Sequence, residues 1–170
     1  TAVCSPTRAS LLTGRSQHAV GMRGVSNWRT GFPHQLGHIS NDAATVAEVL
    51  HDVGYITFCA GKWHLAPMDQ CSAAGPFDQW PLARGFDRFY GTIHGAGSFY
   101  DPVTLTRDNR MITPENDAEY QPERFYYTDA ISDHAVDVHG RKGRLYEVPN
   151  GPYGIPYRCL LPRGVENLFI

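Results

Sequence analysis

Long apolar runs are missing from this chain. Nowhere do about 20 consecutive apolar residues occur, the length a transmembrane helix needs, so no membrane span is expected. Blocks of like charge are missing too. Fifteen Lys and Arg oppose 17 Asp and Glu for a formal net charge of −2, with no run of five like charges. That balance argues against nucleic acid or an anionic membrane surface as the main partner. The N-terminus, Thr1-Ala2-Val3, has neither the basic nor the apolar region of an export signal, and no initiator Met precedes it. The chain reads as a fragment of something longer. Its four cysteines, at 4, 59, 71 and 159, form no C-x-x-C pair, which makes a disulfide framework a weak expectation at this length. With eight scattered histidines, a structural zinc site is not expected either.

What is present suits one globular unit: a folded chain of 170 residues buries about 70% of its unfolded surface. Pro6 suits the first position of a short helix that Gly14 stops. Residues 16 to 40 carry Gly21, Gly24, Gly31, Pro33 and Gly37 without periodicity, and read as a long surface excursion. Asn41 or Asp42 can cap a second helix whose Val46, Val49, Leu50 and Val53 follow a helical stripe up to Gly54. The run Tyr55-Ile56-Thr57-Phe58-Cys59-Ala60, bounded by glycines, has the signature of a buried strand. Helix followed by strand points to a layered α/β fold. Gly61-Lys62-Trp63-His64 follows at the carboxyl end of that strand, where open α/β sheets gather ligands. Residues 66 to 124 predict irregular structure with one strand near Phe86 to Tyr90. Thr128 can cap a third helix through Ile131, Ala135 and Val138, and from Gly140 onward the pattern breaks, so that tail is left unassigned.

Cys4-Ser5-Pro6-Thr7-Arg8 places a candidate nucleophile at a helix N-terminus, where unpaired N–H groups and the helix dipole favour negative charge. Arg8, at i+4, can turn its guanidinium back toward the same spot. By spacing alone, a buried cysteine beside a surface arginine fits as well. Phosphate chemistry that uses Arg six residues after Cys is excluded, because Ser10 stands there. Lys62 and His64, at i and i+2 of an extended segment, would face one side and could share an anion. Taken singly, each also reads as an ordinary loop residue.

Two stretches together are more specific. Cys4 to Arg15 contains C-x-P-x-R and ends L-x-T-G-R, and Gly54 to Leu65 ends G-K-W-H-L. In this order they resemble the two signatures of the type I, formylglycine-dependent sulfatases. Arg84 to Gly91, Gly95 to Pro102 and Tyr127 to Ala130 resemble further arylsulfatase stretches, and the likeness covers residues 1 to 138. The resemblance implies an α/β fold, part of an alkaline-phosphatase-like sandwich with a mixed sheet flanked by helices, incomplete here. Residues 1–138 would form a partial catalytic domain. Residues 139–170 would be an unassigned tail of the kind a frame error or abnormal truncation leaves.

The resemblance also implies the chemistry. A maturation enzyme would oxidise Cys4 to formylglycine, whose hydrate attacks sulfur with one hydroxyl and expels sulfate with the other. Arg8 would hold the hydrate, Lys62 would bridge it to the sulfate oxygens, and His64 would assist its collapse. Trp63 would pack beneath the loop. His94 is a weaker candidate for contact with substrate sulfate, and the remaining histidines read as surface or core residues. The reaction implied is hydrolysis of an aryl or carbohydrate sulfate monoester. The rivals are a phosphonate or phosphodiester hydrolase of the same superfamily and a non-catalytic remnant. A periplasmic or secreted location would follow the family.

The family also binds one Ca²⁺ through paired acids, a later Asp-Asn or Asp-His pair and the formylglycine at position 4. Of that shell only Cys4 is recognisable. The sequence has no Asp-Asp, and Asn41-Asp42, Asp108-Asn109 and Asn116-Asp117 stand where the family pattern does not use them. A late lysine that helps the leaving group is also absent, and the isolated chain is expected to be inactive.

Overall fold

The computed structural model describes residues 2–136, together with the backbone of 139–140, 143–144 and 167–169. Helix α1 spans Cys4–Thr13 and starts two residues earlier than the sequence suggests. Val3 is its extended N-cap, so Cys4 and Ser5 lie in the first turn and Pro6 comes third. Proline fits there because the first-turn N–H groups have no intrahelical acceptor. Gly14 closes the helix as expected, at φ 65°, donating its N–H to Ser10 O at 2.9 Å. Ser5, Pro6, Ala9 and Leu12 form the buried face.

Helix α2, Val46–Asp52, is capped by Thr45 rather than by Asn41 or Asp42. Thr45 Oγ1 accepts from Glu48 N at 3.1 Å, and Glu48 Oε2 accepts from Thr45 N at 2.5 Å, a complete capping box. The expected valine stripe is only partly used: Val49 and Val53 are 55% and 69% exposed, whereas Ala47 is fully buried. The reason is close backbone packing. A Cβ at Gly85 would stand 2.3 Å from Glu48 N and 2.8 Å from Ala47 C, so the helix meets the neighbouring turn through its smallest residue.

Strand β1, Ile56–Lys62, runs parallel to β2, Arg88–Thr92, with Phe58 opposite Arg88 and Lys62 opposite Thr92. β1 is half-buried along most of its length, less covered than its apolar sequence suggests. Thr57 locks the register from its buried position, donating from N to Asp87 Oδ2 at 2.8 Å and from Oγ1 to Gly85 O at 2.6 Å. The stretch expected to be irregular also contains an antiparallel hairpin, β3 Leu105–Arg107 and β4 Arg110–Met111, added beside β2. Short strands β5, His139–Gly140, and β6, Gly143–Arg144, pair with each other. β7, Asn167–Phe169, lies parallel to β1, giving a mixed sheet of order β4-β3-β2-β1-β7.

Alternation along β2 sends Phe89 to one face and Tyr90 to the other. Phe89 joins Ala9, Leu12, Ala47, Trp63, Trp80 and Phe86 in the larger core. Tyr90 joins Leu105, Ile112 and Ala130 of helix α3, Tyr127–Val136, in the smaller one. Helices thus cover both faces, the layered α/β arrangement expected. Thr128 lies inside α3 rather than capping it. Val138 and most of the unassigned tail lie outside the described residues.

Residues 16–40 are not merely a surface excursion. Val20, Met22, Ser26 and Ile39 are buried, and the segment folds around Gln35, which is 6% exposed. Gln35 accepts from Gly24 N at 2.5 Å and donates to Trp28 O at 2.5 Å. Ser26 N–H donates to Ser5 Oγ at 3.1 Å, tying the loop to the first turn of α1.

Candidate active site

Because β1 and β2 are parallel, their carboxyl ends reach the same edge of the sheet. Past the strands the two chains stay paired, Trp63 N–H donating to Thr92 O at 2.8 Å and His64 N–H to Ile93 O at 2.9 Å. This brings Lys62 and His64 on one chain beside His94 and Gly95 on the other. The N-terminal turn of α1 brings Cys4 and Arg8 to the same place. Trp63 is buried beneath them and donates through Nε1 to Gln79 O at 2.8 Å, the packing role expected of it.

Lys62 and His64 meet for a reason other than simple strand alternation. His64 sits at φ 53°, in the left-handed region, so the chain has already left extended geometry. Both side chains instead converge on Gly95. Lys62 Nζ donates to Gly95 O at 3.2 Å, and the His64 ring occupies the space a Cβ on Gly95 would need, 2.1 Å from Cε1.

Cys4 Sγ lies 3.1 Å from His64 Nδ1, and Arg8 Nη1 donates to Lys62 O. Arg8 Nε is buried and makes no hydrogen bond among the described residues. Neither Arg8 nor Lys62 takes part in an ion pair among those residues. His64 is 6% exposed, and burial, followed by the charges of Lys62, His94 and Arg8, pushes its pKa down to about 4. The site therefore combines two cations without carboxylate partners among the described residues with an imidazole that is neutral at ordinary pH. It can hold an anion and accept a proton from a group on residue 4.

Asn27 is the site residue that sequence reading missed. Its Oδ1 lies 2.5 Å from His64 Nε2, and its Nδ2 lies 3.0 Å from His94 Nε2. The His64 and His94 ring centroids are 5.9 Å apart, so the weaker candidate does belong to the cluster. Nothing in G-V-S-N-W-R-T-G marks Asn27, which reaches the site only because the folded loop is pinned to α1.

The described residues do not by themselves fit a Ca²⁺ shell. No group of three or more His, Cys, Asp or Glu side chains among them could hold a metal ion. The only uncharged side-chain oxygen in the cluster, Asn27 Oδ1, is already used by His64. The Asx pairs noted in the sequence are engaged elsewhere: Asp108 accepts from Phe89 N at 2.9 Å, Asp117 pairs with Arg107 at 2.7 Å, and Asn41 accepts from Gln79 at 3.1 Å. His34 and His38 stand four residues apart in an H-x-x-x-H spacing but gather no further ligand among the described residues. No disulfide joins Cys4, Cys59 and Cys71. No helix among the described residues is long and apolar enough to cross a membrane.

A mixed α/β sheet with cationic side chains gathered at the carboxyl ends of its parallel strands is an arrangement in which α/β proteins bind ligands. The Sulfatase family matches residues 1–156, and the chain belongs to that family. Among curated relatives, it is 33% identical to human arylsulfatase D over 76% of this chain and 20% of that protein. It is 41% identical to rat (Rattus norvegicus) steryl-sulfatase over 62% of this chain and 17% of that one. The chain thus spans about a fifth of these relatives' length. Of solved structures, Ps i-CgsB in complex with k-i-k-neocarrahexaose aligns with TM-score 0.56 and 25% identity, over 78% of this chain and 29% of that one. BT4656 in complex with its substrate, D-glucosamine-2-N,6-O-disulfate, aligns with TM-score 0.50 and 28% identity, over 80% of this chain and 21% of that one.

Proposed function

We propose that Cys4, Arg8, Lys62 and His64 form the reacting half of a sulfate monoester hydrolase, with a sulfated carbohydrate as the favoured substrate class. One observation carries this reading: residues 60 positions apart bring Cys4 Sγ within 3.1 Å of His64 Nδ1, where the charges of Lys62 and Arg8, free of carboxylate partners among the described residues, also act on His64. The carbohydrate bound to BT4656 supports a sugar sulfate over a phosphonate or phosphate diester.

The thiol of Cys4 stands in for the oxygens of a formylglycine hydrate. One of those oxygens would bond to sulfur as the alcohol leaves, and deprotonation of the other would reform the aldehyde as the bond to sulfate breaks. Arg8 would hold the hydrate at position 4, and Lys62, through Nζ, would bind the sulfate oxygens and the charge developing on them. His64 Nδ1 would take the proton from position 4. His94 would contact the sulfate or its leaving group from the neighbouring strand end. The family's Ca²⁺ belongs to this reading only with carboxylates from beyond the described residues, and no step here relies on it.

Cys4 is half-buried inside a helical turn, so a maturation enzyme would read C-x-P-x-R before the chain folds. Co-expression with a formylglycine-generating enzyme should give a Cys4 tryptic peptide with the mass loss of thiol-to-aldehyde conversion. Recovery of free thiol alone would count against this assignment. Paired nitrophenyl sulfate and phosphonate esters, offered to a longer, active form, test the substrate class.

A further inference from the structure

We propose that Asn27 is the positioning residue for His64: its Oδ1 holds the proton on Nε2 and leaves Nδ1 facing position 4 as the proton acceptor. This rests on the role given to His64 above only for its catalytic consequence. The hydrogen bonding decides the tautomer without reference to the reaction.

A side-chain amide oxygen accepts and cannot donate. At 2.5 Å from Oδ1, His64 Nε2 must therefore carry the hydrogen. A neutral imidazole has one N–H, so Nδ1, 3.1 Å from Cys4 Sγ, is left with its lone pair. The amide is itself oriented from its other end. Asn27 Nδ2 donates to His94 Nε2 at 3.0 Å, and His94 Nδ1 sits against both polar groups of Ala96, 3.2 Å from its O and 3.3 Å from its N. From position 4 to His94 the donations then run one way, with His64 Nδ1 accepting at position 4, Nε2 donating to Asn27 Oδ1 and Asn27 Nδ2 donating to His94. Gly95 packs against one side of the ring and limits its movement in that direction.

The test reads the tautomer directly. Imidazole ¹⁵N shifts of His64 are measured in a Cys4→Ala background, which removes the partner on Nδ1, with and without Asn27→Leu or Asn27→Asp. With Asn27 present, one tautomer with the proton on Nε2 is expected. Asn27→Leu should give a mixture of the two. Asn27→Asp keeps an acceptor and should restore the single Nε2–H form. It also places a carboxylate beside a ring that otherwise faces Arg8, Lys62 and His94, so its titration midpoint should rise by about one pH unit or more. Unchanged His64 nitrogen shifts in folded Asn27→Leu, or failure of a folded Asn27→Asp to restore them, would overturn the proposal. In an active form, Asn27→Leu should lower kcat about tenfold or more with KM little changed, and Asn27→Asp should recover part of it. A locked tautomer in a longer, Cys4-converted form that turns over no sulfate ester would sink the proposed function alone. Turnover with a tautomer indifferent to Asn27 would sink this inference alone.

Discussion

Replacing Gly95 by alanine tests whether the His64 ring is truly clamped. The added Cβ would lie 2.1 to 2.3 Å from three ring atoms, Cε1, Nδ1 and Nε2, where ordinary contact begins at 3.4 Å. The ring would have to move by more than 1 Å. It is held at 3.1 Å on one nitrogen and 2.5 Å on the other, so such a shift breaks at least one of these hydrogen bonds. Overpacking costs about 1–3 kcal/mol and a lost hydrogen bond about 1 kcal/mol, together roughly 2–4 kcal/mol. For a chain of this size that corresponds to a fall in Tm of roughly 5–15 °C. Gly97→Ala is the control, since its Cβ would meet Pro102 at an ordinary 3.6 Å. Thermal unfolding followed by circular dichroism gives the stability, and NMR titration gives the state of the ring. Expulsion toward water should raise the His64 midpoint from about 4 toward its ordinary 6.5. If Gly95→Ala melts with Gly97→Ala and titrates as the parent does, the clamp described here does not exist.

Gly91→Ala should be harsher, because its Cβ would lie 1.8 Å from Gly61 O across the parallel β1–β2 pair, and neither backbone can yield without losing register. A loss above about 4 kcal/mol, seen as insoluble or unfolded protein, is expected, and a normally folded variant would refute that register. Lys62→Ala in an active form should lower kcat/KM by roughly 10²-fold, as loss of a preorganised charge donor does, whereas near-parental rates would make the Gly95 contact its whole role. His64, with its pKa lowered in the fold, binds its proton only below about pH 4, whereas the unfolded chain binds it from about 6.5 downward. Stability should therefore fall as pH drops from about 6.5 to about 4, by at most about 3 kcal/mol. Denaturant titrations of the parent and of His64→Asn, a residue that tolerates the positive φ, should differ in slope only within that window, and parallel slopes would refute the shift.

Several features were legible in the sequence because their causes are local. The Gly14 stop, the helix at Cys4 and the strand ending in G-K-W-H each depend on a few consecutive residues. The Thr45–Glu48 capping box and the turn at Asp108-Asn109 were equally local. Competing local signals stand beside them: Asn41 and Asp42 are also good cap residues, and the Pro and Gly spacing of residues 66 to 124 predicts irregular structure. The valine stripe of α2 misled for another reason: periodicity marks an apolar face, but Gly85 decided that the helix approaches through Ala47.

The sequence by itself thus pointed to helices α1 to α3, strands β1 and β2, the family and five residues of the candidate site, Cys4, Arg8, Lys62, His64 and His94. Only tertiary structure decided their chemistry. Parallel pairing of β1 with β2 brought His94 and Gly95 beside His64, and the loop folded around Gln35 delivered Asn27 from 37 residues away. A tautomer, a depressed pKa and a ring clamped over a glycine arise from groups distant in the chain becoming close in a dry place. No short stretch of sequence encodes that proximity.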